Sequence, residues 1–199
     1  MAERQETAQG LLINHFYAGH EHGDIQIDRT AGLYVEVFAG HPWFEFHDPD
    51  EVKQQITDFF GRSSANMYLV ENDGEVKGFA WGYLRDTAEL VENKFNESND
   101  TKIAEQVVSK LGQGNVFYIN EIGVNSKLRG KGLGKLLMGK LLGDAERLEV
   151  PSALSTRVDT VLTPICLKLG FEQIFGQEVV VGVNGKINLT GRIIVGQKR

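Results

Sequence analysis

Two stretches in the first half of the chain carry apolar residues at helical spacing. Residues 28–39 have this spacing, and Asp28 has the side chain of a helix N-cap. Residues 52–60 repeat the spacing and follow Asp48 and Pro49, which are typical of an N-cap and of the first helical position. The pattern therefore predicts one helix over each stretch.

Apolar runs bounded by turn residues predict strands in the same half. Residues 67–71 and 76–84 flank Asp73-Gly74, a pair that accepts the positive φ angles of a tight turn. These runs therefore predict a β-hairpin. A shorter apolar run over 11–13 predicts a first strand, unless residues 1–24 form only an N-terminal extension.

Helices and strands alternate in the second half. The polar segment 86–115, with a helical pattern over 101–111, is interpreted as an insertion before the next strand. After it we predict a strand over 116–124, a helix from 133, a strand over 152–158, a helix over 162–169, and a closing hairpin of 179–183 with 187–195. This order indicates an α/β or α+β fold, in which helices flank a mixed central sheet.

Composition limits the classes of protein that fit this pattern. The chain has 199 residues, enough for a single domain over 1–199 with its own core. One cysteine excludes an internal disulfide, the first residues lack the apolar run of a signal peptide, and no stretch approaches the roughly 20 apolar residues of a membrane span. A net charge of −6 argues against nucleic acid as a partner. We therefore expect a cytoplasmic protein without a membrane partner.

A glycine-rich turn lies between the strand 116–124 and the helix that starts at 133. Its sequence is Arg129-Gly130-Lys131-Gly132-Leu133-Gly134, followed by Lys135. Glycines let an anion approach the main chain, and the first turn of a helix presents N–H groups at the positive end of the helix dipole. Since basic side chains add charge, the turn suits a diphosphate group.

Two common nucleotide-binding patterns fit this turn poorly. In a P-loop, a serine or threonine that holds magnesium follows the Gly-Lys pair, whereas Leu136 follows Gly134-Lys135. A dinucleotide fold spaces its glycines as Gly-x-Gly-x-x-Gly at the first strand-to-helix turn, and this turn has neither property. A mononucleotide-binding α/β protein is therefore a minor alternative.

Three motifs, in the order found here, resemble those of the GNAT acyltransferase superfamily. They are the Arg-x-x-Gly-x-Gly pattern from Arg129, the strand 118–124, and Leu169-Gly170-Phe171 at a helix end. The resemblance covers most of the chain from Met67 onward. It implies a sheet of about six to seven strands that is splayed between strand four, 116–124, and strand five, 152–158. It also implies acetyl-CoA as the cofactor.

The resemblance implies which residues contact acetyl-CoA. Main-chain groups at the end of strand four would pair with the pantetheine arm as an added strand would, and the glycine-rich turn would hold the pyrophosphate. The residues at these positions are Ile122, Gly123, Val124, Arg129, Gly130, Lys131, Gly132, Leu133, Gly134 and Lys135. For the first three, an ordinary core strand is the alternative.

Glu121 is the candidate for the catalytic base. An amine must be neutral before it attacks a thioester, and a carboxylate can take its proton, often through ordered water in related enzymes. By strand alternation Glu121 shares a face with Phe117 and Ile119, so it is expected to lie partly among apolar groups. A structural ion pair is an equally open interpretation of this residue.

Cys166 occupies the position at which the family usually has a tyrosine that gives a proton to the departing thiolate. A thiol is a weak donor, and buried cysteines are commonly inert. Cys166 is therefore a catalytic candidate with open alternatives, which are water, Tyr118 and Tyr83.

Trp43 and Glu45 are the candidates for binding the acceptor, in a segment that also contains His41 and His47. Aromatic and acidic groups attract a cationic amine by cation–π contact and ion pairing. Packing of Trp43 in the core is the alternative. The spacing of the two histidines is not that of a helical zinc site and no cysteine lies near them, so we predict no metal.

These features together predict an acetyl-CoA-dependent N-acetyltransferase. It would transfer the acetyl group of acetyl-CoA to a primary amine, a small molecule, by direct attack. A non-catalytic acyl-CoA-binding or sensing module is the alternative, because Cys166 replaces the usual tyrosine. A homodimer stays open.

Overall fold

A computed structural model describes residues 3–7, 10–19, 24–90, 101–157, 159–177, 180–183, 186–189 and 192–197. The helices are α1 (Asp24–Ala39), α2 (Pro49–Phe60), α3 (Thr101–Leu111), α4 (Leu133–Arg147) and α5 (Leu162–Lys168). The strands are β1 (Glu3–Glu6), β2 (Leu12–Tyr17), β3 (Asn66–Asn72), β4 (Glu75–Asp86), β5 (Asn115–Val124), β6 (Ser152–Arg157), β7 (Glu172–Gln177), β8 (Val180–Val183), β9 (Lys186–Leu189) and β10 (Arg192–Gln197).

The strands form a mixed sheet of order β1-β2-β3-β4-β5-β6-β10-β7 and a separate two-stranded sheet, β8-β9. The predicted class, a mixed sheet flanked by helices, is confirmed. The strand predicted as the fourth is β5, because Glu3–Glu6 adds a strand at the start. The chain divides into two compact units. The first contains Met1–Tyr83 and Asn120–Asp144, and the second contains Leu84–Ile119 and Ala145–Arg199.

In the first unit, β1 to β4 are joined by antiparallel pairing. The predicted hairpin is confirmed, because Asp73 and Gly74 have φ angles of 50° and 77° at the turn between β3 and β4. The helix predicted after Asp48 is also confirmed: the Asp48 side chain accepts hydrogen bonds from the N–H groups of Asp50 and Glu51.

The two faces of this antiparallel sheet pack against different helices. On one face, the Phe79 ring lies 5.8 Å from that of Tyr34 in α1, and the Trp81 ring lies 6.1 Å from that of Phe59 in α2. On the other face, the buried Tyr68 hydroxyl donates to Asp144 of α4 at 2.8 Å. The alternation of the strands therefore separates an α1–α2 face from an α4 face.

In the second unit, the beginning of β5 pairs in parallel with β6, from Phe117–Ser152 to Ile119–Leu154. β10 pairs antiparallel with both β6 and β7. Lys110 of α3 forms an ion pair with Glu172 of β7 at 3.0 Å.

Two sequence predictions are wrong in detail. Asp28 does not cap α1, because the helix begins at Asp24 and Asp28 lies inside it. The closing hairpin is shorter than predicted: β8 pairs with β9, whereas 192–197 forms a different strand within the main sheet. Its predicted turn, Asn184-Gly185, lies outside the described residues, as do Val158, Val179 and the part of the predicted insertion at 91–100.

Candidate functional site

The loop that connects β5 to α4, residues 125–132, is named the coenzyme loop after the ligand that the sequence predicts for it. It begins with a short 3₁₀ helix, Ser126–Leu128, which Asn125 caps. Gly130 and Gly132 then have φ angles of 76° and 84°, which non-glycine residues rarely adopt. These two glycines are required by the path of the main chain.

The first turn of α4 is open. The N–H of Leu136 donates to the Gly132 carbonyl at 3.0 Å, so the N–H groups of residues 133–135 lie before the first bond of the helix. Apart from the adjacent residues and the backbone of α4 itself, no heavy atom of the described residues lies within 4 Å of the position that a Cβ would take at Gly130, Gly132 or Gly134. This open main chain at the positive end of the helix fits a diphosphate group.

The side chains around this turn divide into one apolar anchor and several exposed cations. Leu133 is buried and fixes the start of α4 to the core. Arg129, Lys131 and Lys135 are exposed, and the Arg129 Nε–H donates to the Val124 carbonyl at 3.3 Å. The cations therefore surround the open turn and favour an anion there.

The end of β5 passes under the ring of Phe79. A Cβ at Gly123 would lie 2.3 Å from Phe79 Cζ, so only glycine fits at this position. The Gly123 carbonyl lies 3.2 Å from the position that a Cβ would take at Gly78. Ile122 and Val124, on either side of Gly123, are half-buried. No local pattern in the sequence signals this close approach, which gives β5 a specific reason to have a glycine at position 123.

Glu121 is half-buried on β5, and its Oε1 accepts a hydrogen bond from Asn120 Nδ2 at 3.4 Å. Strand alternation places its side chain on the same face as the Cα–Cβ direction of Gly123, which points at Phe79. That is the α1–α2 face. Glu121 therefore projects toward the layer that carries the predicted acceptor residues.

Residues 40–48, between α1 and α2, are called the acceptor segment here. Trp43 is half-buried, with its ring 5.5 Å from that of Phe38 in α1. The N–H of Glu45 donates to the Phe38 carbonyl at 2.9 Å, and its carboxylate lies 3.1 Å from His47 Nε2. The His47 ring packs edge-on against Tyr34 at 5.1 Å. Alternate residues 43, 45 and 47 thus attach the segment to α1.

The other alternate residues of the acceptor segment face solvent. Phe44 is 63% exposed and Phe46 is 93% exposed. Phe44 has a φ angle of 51°, and its N–H donates to the Gly40 carbonyl at 3.0 Å. The segment therefore exposes two aromatic rings to solvent.

Cys166 lies in α5 and is fully buried. Burial raises the pKa of its thiol to about 12, so the thiol keeps its proton at neutral pH. Such a thiol gives up its proton less readily than an ordinary cysteine, whose pKa is 9.0. The catalytic role predicted for Cys166 stays a prediction, and its burial argues against it.

Most of the predicted site residues lie in one unit. The coenzyme loop, the end of β5 with Glu121, and the acceptor segment all belong to the unit of Met1–Tyr83 and Asn120–Asp144, whereas Cys166 belongs to the other. The sequence grouped His47 with Glu45, but it gave no signal for the hydrogen bond from Asn125 to Glu36. In the part of the chain that the structure describes, no three His, Cys, Asp or Glu side chains form a group that could hold a metal ion. Within the same residues, no helix has the length and apolar character needed to cross a lipid bilayer.

Comparison with known families gives a single assignment. A family model for the acetyltransferase (GNAT) family matches residues 33–171. The sequence matches no curated protein.

Many solved structures have a similar fold. Polyamine N-acetyltransferase from Drosophila melanogaster, which forms N-acetylagmatine, has a TM-score of 0.64 and 12% identity, over 94% of this chain and 99% of that one. Ribosomal-protein-alanine N-acetyltransferase from Brucella melitensis has a TM-score of 0.59 and 14% identity, over 89% and 97%. A GNAT family acetyltransferase from Elizabethkingia anophelis with acetyl-CoA bound has a TM-score of 0.54 and 14% identity, over 95% and 98%. At these identities the similarity establishes the fold.

Proposed function

Because the chain belongs to the acetyltransferase (GNAT) family, we propose that it transfers the acetyl group of acetyl-CoA to the primary amine of a small molecule by direct attack. The protein is an acetyl-CoA-dependent acyltransferase, as its family is. The observation that carries the proposal is the open first turn of α4, where glycines leave the main-chain N–H groups accessible beside exposed cations.

Acetyl-CoA supplies an activated acetyl thioester, and the residues of this chain bind and orient it. We assign the pyrophosphate to the N–H groups of Gly130 to Lys135 and to the side chains of Arg129, Lys131 and Lys135. Main-chain groups of Ile122, Gly123 and Val124 hold the pantetheine arm in the manner of an added strand. Support for this assignment comes from the positive φ angles of Gly130 and Gly132.

Glu121 acts as the base that accepts the proton of the amine. Support comes from its position: its carboxylate is half-buried on the face of β5 that looks toward α1 and α2. A carboxylate there can keep the acceptor nitrogen neutral, directly or through a water molecule. The thiolate then takes a proton from another source, since the buried Cys166 thiol, with its pKa raised to about 12, is a poor donor.

The acceptor segment binds the amine. The Glu45 carboxylate attracts a cationic nitrogen, and Trp43 offers an aromatic surface next to it. The Glu45 side chain is 34% exposed and Trp43 is half-buried, so a ligand can reach both residues. The negative charge of the whole chain, −6, also favours a cationic acceptor. A cytoplasmic location and a homodimer belong to the same proposal.

Release of CoA thiol with a panel of primary amines tests the reaction. We expect Glu121→Gln to lower kcat by about 10²–10⁴-fold with little change in KM for acetyl-CoA, because a general base acts in the transition state. Glu51→Gln, which removes an exposed carboxylate in the first turn of α2, is the matched control and should turn over normally. Unchanged turnover of Glu121→Gln would exclude Glu121 as the base.

The same assay separates the enzyme from a coenzyme sensor. Burial of Cys166 at the position of the usual tyrosine favours a sensor as the second candidate. A wild-type protein that binds CoA in calorimetry but releases no thiol with any amine would indicate the sensor.

A further inference from the structure

We infer that Asn125 and Glu36 are positioning residues, which fix the start of the coenzyme loop to α1 and so link coenzyme binding to the acceptor segment. The inference rests on the proposed function of the loop and goes beyond it, because it names residues that do not touch the coenzyme. It also assigns them a coupling between the two substrates.

Asn125 is hydrogen-bonded through both its main chain and its side chain. Its N–H donates to the Lys77 carbonyl of β4 at 2.9 Å, and its carbonyl accepts from the Leu128 N–H at 2.9 Å. Its side-chain Oδ1 accepts from the Lys127 N–H at 3.1 Å. The remaining group, Nδ2, donates to Glu36 of α1 at 3.1 and 3.4 Å. One residue therefore joins a strand, a helix and the first turn of the loop.

The side chain at position 125 must both donate and accept. Oδ1 caps the 3₁₀ helix, whereas Nδ2 reaches the Glu36 carboxylate. Asparagine has both groups on one short side chain. Aspartate would keep the cap but would place a second carboxylate against Glu36, so an Asn125→Asp change breaks the link to α1 alone.

Glu36 lies on the part of α1 that carries the acceptor segment. Half a turn further along, the Phe38 carbonyl accepts from the Glu45 N–H at 2.9 Å. Half a turn before it, the Tyr34 ring contacts the His47 ring at 5.1 Å. A displacement of the coenzyme loop that moves Glu36 therefore acts on residues that hold the acceptor segment.

Holding the loop in its binding shape reduces the ordering that CoA must impose. The Asn125–Glu36 bond is exposed, and loss of a hydrogen bond to a carboxylate changes affinity roughly two- to tenfold. By thermodynamic reciprocity, coenzyme that is bound in the loop must then also affect the acceptor segment through the same link.

Four proteins test the link: wild type, Asn125→Asp, Glu36→Gln, and the double variant, in which the donor and the acceptor of the hydrogen bond are exchanged. Titration calorimetry with CoA is expected to show weaker binding by Asn125→Asp, by roughly three- to tenfold. The double variant should recover most of the affinity, because the new amide at position 36 donates to the new carboxylate at position 125. Thermal unfolding of each variant is the control that checks whether it is folded.

Net charge is controlled by Asn125→Asp combined with Glu51→Gln. This pair of changes restores the total charge without restoring the hydrogen bond, because Glu51 is an exposed residue of α2. It is expected to bind CoA as weakly as Asn125→Asp. Equal affinity in all variants, or equal rescue by Glu51→Gln and Glu36→Gln, would overturn the inference.

Amide hydrogen exchange measures the coupling itself. In the wild type, CoA should slow exchange over residues 40–47, the effect should be lost in Asn125→Asp, and it should return in the double variant. Slowing that persists in Asn125→Asp would overturn the coupling. A wild-type protein that does not bind CoA at all would instead overturn the proposed function, so the two failures are distinguishable.

Discussion

Replacement of Gly123 by alanine would place a methyl group within the ring of Phe79. The new Cβ would lie 2.3, 2.7 and 2.8 Å from three ring carbons, whereas carbon atoms in contact are separated by about 3.5–4.0 Å. The ring must therefore move by roughly 1 Å. Phe79 is fully buried and is stacked with Trp81 at 5.0 Å and with Tyr34 at 5.8 Å, so its displacement disturbs both neighbours.

The size of the effect follows from this lack of free space. Overpacking of a core typically costs 1–3 kcal/mol, and we expect Gly123→Ala to lie at the upper end, about 3 kcal/mol. For a chain of 199 residues, about 3 kcal/mol lowers Tm by about 6–12 °C. Gly139→Ala is the matched control, because Gly139 is exposed in α4 with nothing near its Cβ position. That change should raise stability by about 0.5–1 kcal/mol.

Urea unfolding of a double-mutant cycle tests whether the clash with Phe79 causes the loss of stability. Phe79→Leu replaces the ring by a shorter side chain that lacks the Cε and Cζ atoms, so it should reduce the cost of Gly123→Ala by at least about 1 kcal/mol. Additive effects of the two changes would refute the reasoning, as would a Gly123→Ala protein with the Tm of the wild type.

Three further predictions concern the helix starts and the cysteine. Gly134→Ala fills the open first turn of α4. We expect Tm to stay the same or rise, while the affinity for CoA measured by calorimetry falls by at least about tenfold. Wild-type affinity for CoA would contradict a phosphate site at this turn. Asp48→Ala removes the cap of α2 and should cost about 1 kcal/mol in urea unfolding, with most of the loss recovered by Asp48→Ser. Burial raises the pKa of Cys166 from its ordinary value of 9.0 to about 12. As pH rises, the thiol therefore loses its proton in the unfolded chain before it does so in the folded protein. The free energy of unfolding consequently falls between pH 9.0 and about pH 12. The urea midpoint of the wild type should therefore drop more than that of Cys166→Ala between about pH 8 and about pH 10, and parallel drops would contradict the shift.

Short sequence patterns predicted the elements that depend only on a few adjacent residues. The cap at Asp48 and the turn at Asp73-Gly74 depend on side-chain and main-chain preferences of a few adjacent residues, and both are confirmed. The C-terminal strands depend on distant partners instead. Residues 187–195 look like one strand in the sequence, but β9 pairs with β8 while β10 pairs with β6 and β7. No local pattern specifies such a division.

The candidate site shows the same limit. The glycine pattern predicted an open turn before α4, and Gly130 and Gly132 there have positive φ angles, which glycine adopts without strain. The bond between Asn125 and Glu36 joins residues 89 positions apart, and a single sequence contains no signal for it. The burial of Cys166 likewise results from packing around α5, and the residues that flank Cys166 in the sequence do not specify it.

The two tryptophans of the chain report on different parts of the protein. Trp81 is 4% exposed in the core of the sheet, whereas Trp43 is half-buried in the acceptor segment. Iodide should therefore quench the emission of Trp43 and leave that of Trp81 almost unchanged. A ligand that occupies the acceptor segment would shield Trp43 from iodide, so fluorescence of the unlabelled protein provides a direct way to screen for the unknown amine.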